Sequence, residues 1–313
     1  MIAEKKYIIA TTVEEAINQA KAHVGNFKYL SGGTDVMVNR FQGNETSDCL
    51  IDLTKIEVLK GIEKQGNFLR IGALEILEEL KFNSIIKDEF PMLIEAALSV
   101  GSPLIRKTAT IGGNVLCENR CLYYNQSEWW RESVGYCLKC DGDICIATQG
   151  KNACFSELVS DTAPALIAMD AEIEYTAIDG KHRLKLEDIY TGDGVKPRNL
   201  PDTAIVTSIY LPLGCEFKTA FYKLRERESL EFTSLTSAVA INKAGKIKIA
   251  LSGVDPKPVV VEGFIADDKE ALIKKAIKGS RAVDNDMYSR KYRREMIGVY
   301  LTRSFSKLAS YFE

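Results

Sequence analysis

Apolar positions along the chain fall into three successive groups, each with its own period. Tyr7 to Ala10 is a short run of strand character. Thr12-Val13-Glu14-Glu15 follows with the spacing of a capping box, Thr12 at the N-cap and Glu15 three residues on. The helix started there carries Val13, Ile17 and Ala20 on one face. A strand around Lys28 to Leu30 runs into Ser31-Gly32-Gly33-Thr34-Asp35, and an apolar run from Leu50 to Leu53 closes the unit. The second group begins with a strand from Phe68 to Ala73, followed by helical stretches over Ile76 to Leu80 and Pro91 to Val100. It then reaches Thr108-Ala109-Thr110-Ile111-Gly112-Gly113-Asn114. Strands near Ala171 to Thr176 and Ala204 to Tyr210 complete it. From Cys215 onward, Thr233 to Asn242 and Lys246 to Leu251 predict a hairpin turning at Ala244-Gly245. Ala271 to Ile277 and Met287 to Ala309 are helical by period. No internal repeat is visible. The pattern predicts an α+β fold with mixed sheets: two α/β subdomains over 1–57 and 58–214, and a C-terminal α+β domain over 215–313.

Composition narrows the function more by exclusion than by suggestion. The 313 residues are 46% hydrophobic and 27% charged, ordinary for a globular protein, and the net charge of −2 creates no field for nucleic acid or an anionic membrane. A basic cluster (Arg290, Lys291, Arg293, Arg294) interleaves with Tyr292 and Met296 at helical spacing and predicts a solvated helix face. The N-terminus lacks the apolar core of a signal peptide, and no later stretch is apolar enough to span a bilayer, so a cytoplasmic location is expected. Thiols stay reduced there, yet six of the eight cysteines fall between Cys117 and Cys154. A metal or iron–sulfur centre explains such a cluster better than disulfides do.

Neither glycine-rich loop is a dinucleotide fingerprint or a P-loop. Each is a Gly-Gly pair beside a hydroxyl and a short polar residue. Adjacent glycines let backbone N–H groups form a concave nest of donors, and two facing nests would suit a pyrophosphate. Tight turns alone would leave the same trace. Tyr29-Leu30-Ser31-Gly32-Gly33-Thr34-Asp35 and Ile105-Arg106-Lys107-Thr108-Ala109-Thr110-Ile111-Gly112-Gly113-Asn114 resemble the two flavin-diphosphate motifs of the xanthine dehydrogenase and carbon monoxide dehydrogenase flavoprotein family. Ser160-Asp161-Thr162-Ala163-Pro164-Ala165-Leu166 resembles its Ser-Asp-x-x-Pro-Ala-Leu segment, and Lys223-Leu224-Arg225-Glu226-Arg227 its Lys-x-x-x-Arg stretch. The resemblance covers essentially the whole chain and implies an FAD-binding fold. It implies a cofactor-binding set of Tyr29, Leu30, Ser31, Gly32, Gly33, Thr34, Asp35, Thr110, Gly112, Gly113, Asn114, Asp161 and Lys223. Within it, Gly32, Gly33, Thr34, Thr110, Gly113 and Asn114 would hold the phosphates, Asp161 the adenosine or ribityl part, and Lys223 would reach the flavin. Asp35, which would repel a diphosphate, is expected to cap the next helix or bond a hydroxyl.

A stretch of about 115–159 separates the second glycine motif from the Ser-Asp segment. With Arg120-Cys121-Leu122-Tyr123-Tyr124-Asn125-Gln126-Ser127 and Trp129-Trp130-Arg131 it resembles the insertion of the 4-hydroxybenzoyl-CoA reductase branch, which binds an extra [4Fe–4S] cluster. The matching ligands are Cys121, Cys137, Cys145 and Cys154, spaced C-x15-C-x7-C-x8-C, with Cys117 and Cys140 left over. From spacing alone a four-cysteine zinc site competes, since Cys137-x2-Cys140 is half a zinc knuckle, and merely buried thiols are a third reading. Mixed Cys/His ligation is disfavoured because His23 and His182, the only histidines, lie far off in sequence. Trp129, Trp130, Tyr123 and Tyr124 would shield a cluster or form the loop's own core.

The chain shows no molybdopterin signature and no nucleophile or acid–base constellation, so its expected work is electron transfer. The resemblance implies a large molybdenum-cofactor subunit and a small subunit with two [2Fe–2S] clusters as partners, and ferredoxin as electron donor. The net reaction would be reductive removal of the phenolic hydroxyl of 4-hydroxybenzoyl-CoA. Another molybdenum hydroxylase acting on a purine, aldehyde or N-heterocycle, and a zinc-stabilised FAD-binding scaffold, are the alternatives.

Overall fold

The first apolar runs are too short and too exposed on one side to stand alone, and they pair through one central strand. In the computed structural model, which describes residues 5–309, β1 (Lys6–Ile9), β2 (Phe27–Leu30) and β3 (Cys49–Asp52) form a parallel sheet in the order β1-β3-β2. α1 (Val13–Ala22) covers it with Ala16, Ile17 and Ala20 buried beside Ile51 and Cys49. Thr12 Oγ1 accepts the Glu15 N–H at 3.1 Å. The reciprocal half of the box falls one residue earlier than expected, the Glu15 carboxylate accepting the Thr11 N–H at 2.8 Å. α2 (Val36–Phe41) follows the first glycine loop.

The second sheet is antiparallel: β4 (Ile62–Gln65), β5 (Phe68–Gly72), β6 (Glu172–Ala177), β7 (Gly180–Lys185) and β8 (Ile205–Pro212), in the order β4-β5-β8-β6-β7. Helices α3 (Ser84–Glu89), α4 (Pro91–Leu98), α5 (Pro103–Arg106) and α6 (Ile111–Val115) precede the cysteine-rich insertion. α7 (Glu128–Val134) lies inside it and α8 (Thr162–Ala168) after it. The stretch Ile76 to Leu80 is not a helix. Leu77 N–H donates to Ala109 O and Ile111 N–H to Glu75 O, both at 2.9 Å, so its backbone pairs with the second glycine loop before a short 3₁₀ turn at Leu80–Phe82. Helical periodicity there reported burial, and the hydrogen bonds went elsewhere.

β9 (Lys218–Leu224), β10 (Leu235–Ile241), β11 (Lys246–Ser252) and β12 (Val259–Phe264) make a third, antiparallel sheet in the order β12-β11-β10-β9. The predicted hairpin turns where Asn242 Oδ1 accepts the Ala244 and Lys246 N–H groups and Gly245 takes φ +77°. α9 (Lys269–Gly279) and α10 (Arg290–Lys307) cover one face through Leu272, Ile297, Leu301 and Phe305. On the other face Ala238, Ala240 and Ala250 meet α8, all seven residues of which are buried. Small alanines there let an apolar helix lie between two sheets. α10 begins at Arg290, three residues later than the period suggested, because Ser289 caps it by accepting the Tyr292 N–H at 3.3 Å. Its basic cluster is not uniformly solvated: Arg293 is 0% exposed and ion-paired with buried Glu157. Among the described residues no helix is long and apolar enough to cross a membrane.

Candidate functional site

The two glycine loops lie side by side at the C-terminal end of β2 and the N-terminal end of α6. Gly32 is pressed so closely to the backbone that a Cβ would stand 1.8 Å from Thr108 O, and Gly33 takes φ +71°. Only glycine fits the first position, and it is favoured at the second. Ser31 Oγ and Thr110 Oγ1 share a hydrogen bond of 3.1 Å that links the loops. Among the described residues nothing accepts the N–H groups of Gly32, Gly33 and Thr34, so the first loop is a nest of free donors. The second loop departs from that expectation. Gly112 N–H donates to Ala73 O at 2.9 Å, and Gly113 N–H to Thr110 Oγ1 at 3.1 Å, so Thr110 serves as the N-cap of α6. What this loop offers the cleft is the Thr110 hydroxyl and the Asn114 amide. Asn114 Oδ1 is taken up by Ser160 Oγ (2.9 Å), Thr162 Oγ1 (2.6 Å) and Thr162 N–H (3.2 Å), which fixes its Nδ2 as the free end.

Both loops open on one cleft of ≈ 710 Å³, within the range of small-molecule and cofactor sites. Tyr29, Ser31, Gly32, Gly33, Thr34, Asp35, Thr110, Gly112, Gly113, Asn114 and Asp161 all line it. Leu30 and Lys223 do not. Leu30 is buried beneath the loop. Lys223 Nζ sits behind the wall, donating to Asp161 Oδ2 (2.6 Å), Ser99 O (3.0 Å) and Glu231 O (3.2 Å), which uses all three of its N–H bonds. It holds the Leu230–Phe232 segment that forms the far wall. Asp35 occupies the N-cap position of α2 but makes no cap bond. Its carboxylate accepts the Glu118 N–H at 3.0 Å and pairs with Arg120. Three acid groups on the cleft wall are thus neutralised in place: Asp35 by Arg120, Asp161 by Lys223, Glu118 by Lys139 at 2.5 Å. A diphosphate beside the glycine loops would meet these three carboxylates already paired.

Three lining features had no legible trace in sequence. Arg198 reaches into the cleft from the connection before β8, held by Cys117 O at 2.6 Å. Leu230 takes φ +60°, uncommon for a residue with a side chain, and its N–H donates to Gly101 O at 3.0 Å. Phe232 lies under the Arg120 guanidinium at 4.5 Å. None belongs to a local motif.

The insertion is pinched at its neck, where Arg120 and Glu157 exchange backbone hydrogen bonds of 2.9 and 2.8 Å. Beyond the neck, Cys121, Cys137, Cys145 and Cys154 line one small cavity with Tyr123, Tyr124, Lys139 and Ser156. Cys117 lies instead on the wall of the large cleft, and Cys140 is outside the cavity lining, its N–H on Cys137 O at 2.7 Å. Trp129 and Trp130 are also outside it, and Trp129 is 75% exposed on α7. All eight cysteines are free thiols. Ser156 N–H points at Cys154 Sγ at 3.4 Å, a donor placed for a thiolate. The Cys140 thiol, donating to it, holds Cys137 below the ordinary thiol value, whereas burial pushes Cys121 up to about 12. Among the described residues no three His, Cys, Asp or Glu side chains close on a single metal ion. Zinc bonds of about 2.3 Å bring four sulfurs within about 3.8 Å of one another. A cubane spreads its thiolates over four irons and fits a wider ring of cysteines.

The flavin reading rests on this geometry and on likeness to known proteins. Over 98% of its length the fold matches that of a carbon monoxide dehydrogenase chain from Hydrogenophaga pseudoflava, with a TM-score of 0.75 at 20% identity and 98% of that chain covered. A nicotinate dehydrogenase FAD-subunit from Eubacterium barkeri is 26% identical over 72% of this chain and 66% of its own length. The aldehyde oxidoreductase FAD-binding subunit PaoB of Escherichia coli (strain K12) is 29% identical over 81% of this chain and 82% of its own. Residues 3–214, well over half the chain, match the model of the FAD binding domain in molybdopterin dehydrogenase, and the chain belongs to that family. It is the flavin subunit of a molybdenum hydroxylase family, an oxidoreductase component with FAD as its cofactor.

Proposed function

We propose that the chain is the FAD and [4Fe–4S] electron-transfer subunit of a molybdenum-containing 4-hydroxybenzoyl-CoA reductase. One observation carries the reading: four cysteines spread over 34 positions converge on a single cavity beside the flavin cleft, and the two left over do not line it. Cys121, Cys137, Cys145 and Cys154 would each bind one iron, with the Ser156 N–H supporting the Cys154 thiolate. The free N–H groups of Gly32, Gly33 and Thr34, with Thr110 and Asn114, would bind the diphosphate of FAD. Asp161, fixed by Lys223 and Thr236 Oγ1 (3.1 Å), would position the rest of the cofactor. FAD supplies exchange of electrons in pairs or singly, and an iron–sulfur cluster supplies single-electron exchange. The expected partners are a molybdenum-cofactor large subunit carrying the substrate site, a small subunit with two [2Fe–2S] clusters, and ferredoxin as donor. The names of the relatives, a nicotinate dehydrogenase and an aldehyde oxidoreductase, favour a second reading in which the complex acts on another substrate.

The first test is a cofactor inventory on anaerobically purified protein. About one FAD, four irons and four sulfides per chain, with a reduced-cluster EPR signal, are expected. Cys145→Ser should lower iron and sulfide while FAD remains measurable. Zinc without sulfide would sink the cluster assignment. For the substrate, the intact complex should reduce 4-hydroxybenzoyl-CoA with a low-potential donor. A complex that oxidises purines or aldehydes and ignores the thioester would establish the second reading.

A further inference from the structure

The flavin cleft and the cysteine cavity share a wall. Tyr124 lines both cavities and is only 7% exposed. The chain from Cys117 to Cys121 crosses from one to the other, Cys117 and Glu118 lining the cleft and Cys121 the cavity. Polar contacts brace this wall from both sides. From the flavin side, Asp35 holds Arg120 and the Glu118 N–H, Arg198 holds Cys117 O, and Asn44 Nδ2 donates to Tyr124 O at 3.4 Å. From the cysteine side, Lys139 stands between Cys137 and Cys140. Its ammonium pairs with Glu118 at 2.5 Å, donates to Asn119 O at 3.2 Å and lies 4.8 Å from the Tyr124 ring centroid.

A wall held this way has one arrangement that suits both cavities. The cavity side depends on how Cys121, Cys137, Cys145 and Cys154 are drawn together. If the loop around Cys137 relaxes, Lys139 leaves Glu118, a carboxylate on the cleft wall loses its ion-pair partner and keeps only the field of Lys28 and Arg198, and Tyr124 loses its cation. Both changes disfavour an anionic diphosphate cofactor. We propose that occupancy of the cysteine cavity and binding of FAD are coupled through the Cys117–Tyr124 wall. Lys139 and Tyr124 are its positioning side chains, and each occupant tightens the other. The inference rests on reading the four cysteines as a ligand set.

The experiment titrates FAD, by flavin fluorescence, into the purified chain loaded with iron and sulfide and into the same chain stripped by an iron chelator. Stripping is expected to weaken FAD binding about 5- to 150-fold, the range of ordinary coupling between sites. Saturating FAD should raise by the same factor the chelator level needed to remove half of the iron at equilibrium, because coupling is reciprocal. Cys145→Ser, which changes the cavity but not the cleft lining, should weaken FAD binding as stripping does. In Lys139→Gln the loaded-to-stripped ratio should fall toward one, and in Lys139→Arg it should persist. A general loss of stability cancels in that ratio, which is taken within one variant. FAD affinities within about twofold for loaded and stripped wild-type chain overturn the coupling and leave the ligand set standing. A chain that carries no iron or sulfide as isolated and cannot be loaded overturns the ligand set, and the coupling with it.

Discussion

At the scale of the residue, chemistry and position do not always agree, and glycine is where they agree best. Gly32 was singled out because paired glycines expose backbone donors, and the structure adds that its Cα hydrogen faces Thr108 O with no room for a methyl. Gly32→Ala must push the two loops apart, since the obstacle is backbone and cannot rotate away. We expect a loss of about 1–3 kcal/mol from overpacking and an FAD content reduced at least about tenfold. Thermal melts and flavin stoichiometry read the two effects separately. An alanine variant with wild-type flavin content would show that the loops need not touch. Polar side chains were less legible. Asp35 was expected to cap a helix or bond a hydroxyl, and it pairs with Arg120, a residue 85 positions away. Lys223 was expected at the flavin and instead sits behind the wall, because three acceptors there take all its N–H groups.

At the scale of the element, the second glycine loop is held by pairing more than by a helix of its own. Glu78 ties this region together: it accepts from Lys81 and from Arg106 Nε at 2.8 Å, and Arg106 also donates to Val100 O at 3.1 Å. The Lys81 and Arg106 hydrogen bonds hold the Glu78 carboxyl below its ordinary 4.5 against the opposing effect of burial. A carboxylate with a depressed folded pKa contributes stability that is present above about pH 4.5 and is lost as pH falls through the folded value. Wild type should therefore exceed Glu78→Gln in urea midpoint near pH 7, and the gap should narrow as pH falls below about 4.5. A gap independent of pH would mean that the side chain acts through packing alone. Elements with clear alternation or caps, such as α1, α9 and the β10–β11 hairpin, were predicted close to their bounds. β4, β7, β9 and β12 were not, because strands such as Ile62–Gln65 and Gly180–Lys185 are rich in charge and largely lack an apolar face.

At the scale of the molecule, the insertion is anchored to the C-terminal part of the chain. Glu157 at its neck pairs with fully buried Arg293 on α10, which also donates to Gly253 O at 2.7 Å, while Asn285 Nδ2 donates to Phe155 O at 2.8 Å. Removing one member strands a charge in the interior. Arg293→Met should cost about 3–5 kcal/mol in urea denaturation, and adding Glu157→Leu should recover much of it. A single variant costing less than about 1 kcal/mol would show that water reaches the neck.

Sequence alone determined what depends on neighbours along the chain. The glycine conformations, the caps and the hairpin are local properties, fixed by backbone sterics. Tertiary structure decided which donors stay free for a ligand, since Gly112 and Gly113 have theirs taken by Ala73 and Thr110 while Gly32 and Gly33 find no acceptor among the described residues. It also decided that Arg293 is a buried anchor and that Tyr124 divides two cavities. The physical reason is that a polar group's role is set by whichever partner desolvation leaves within reach. For Asp35, Lys223 and Arg293 those partners come from elements packed against them across many tens of residues, where periodicity carries no information.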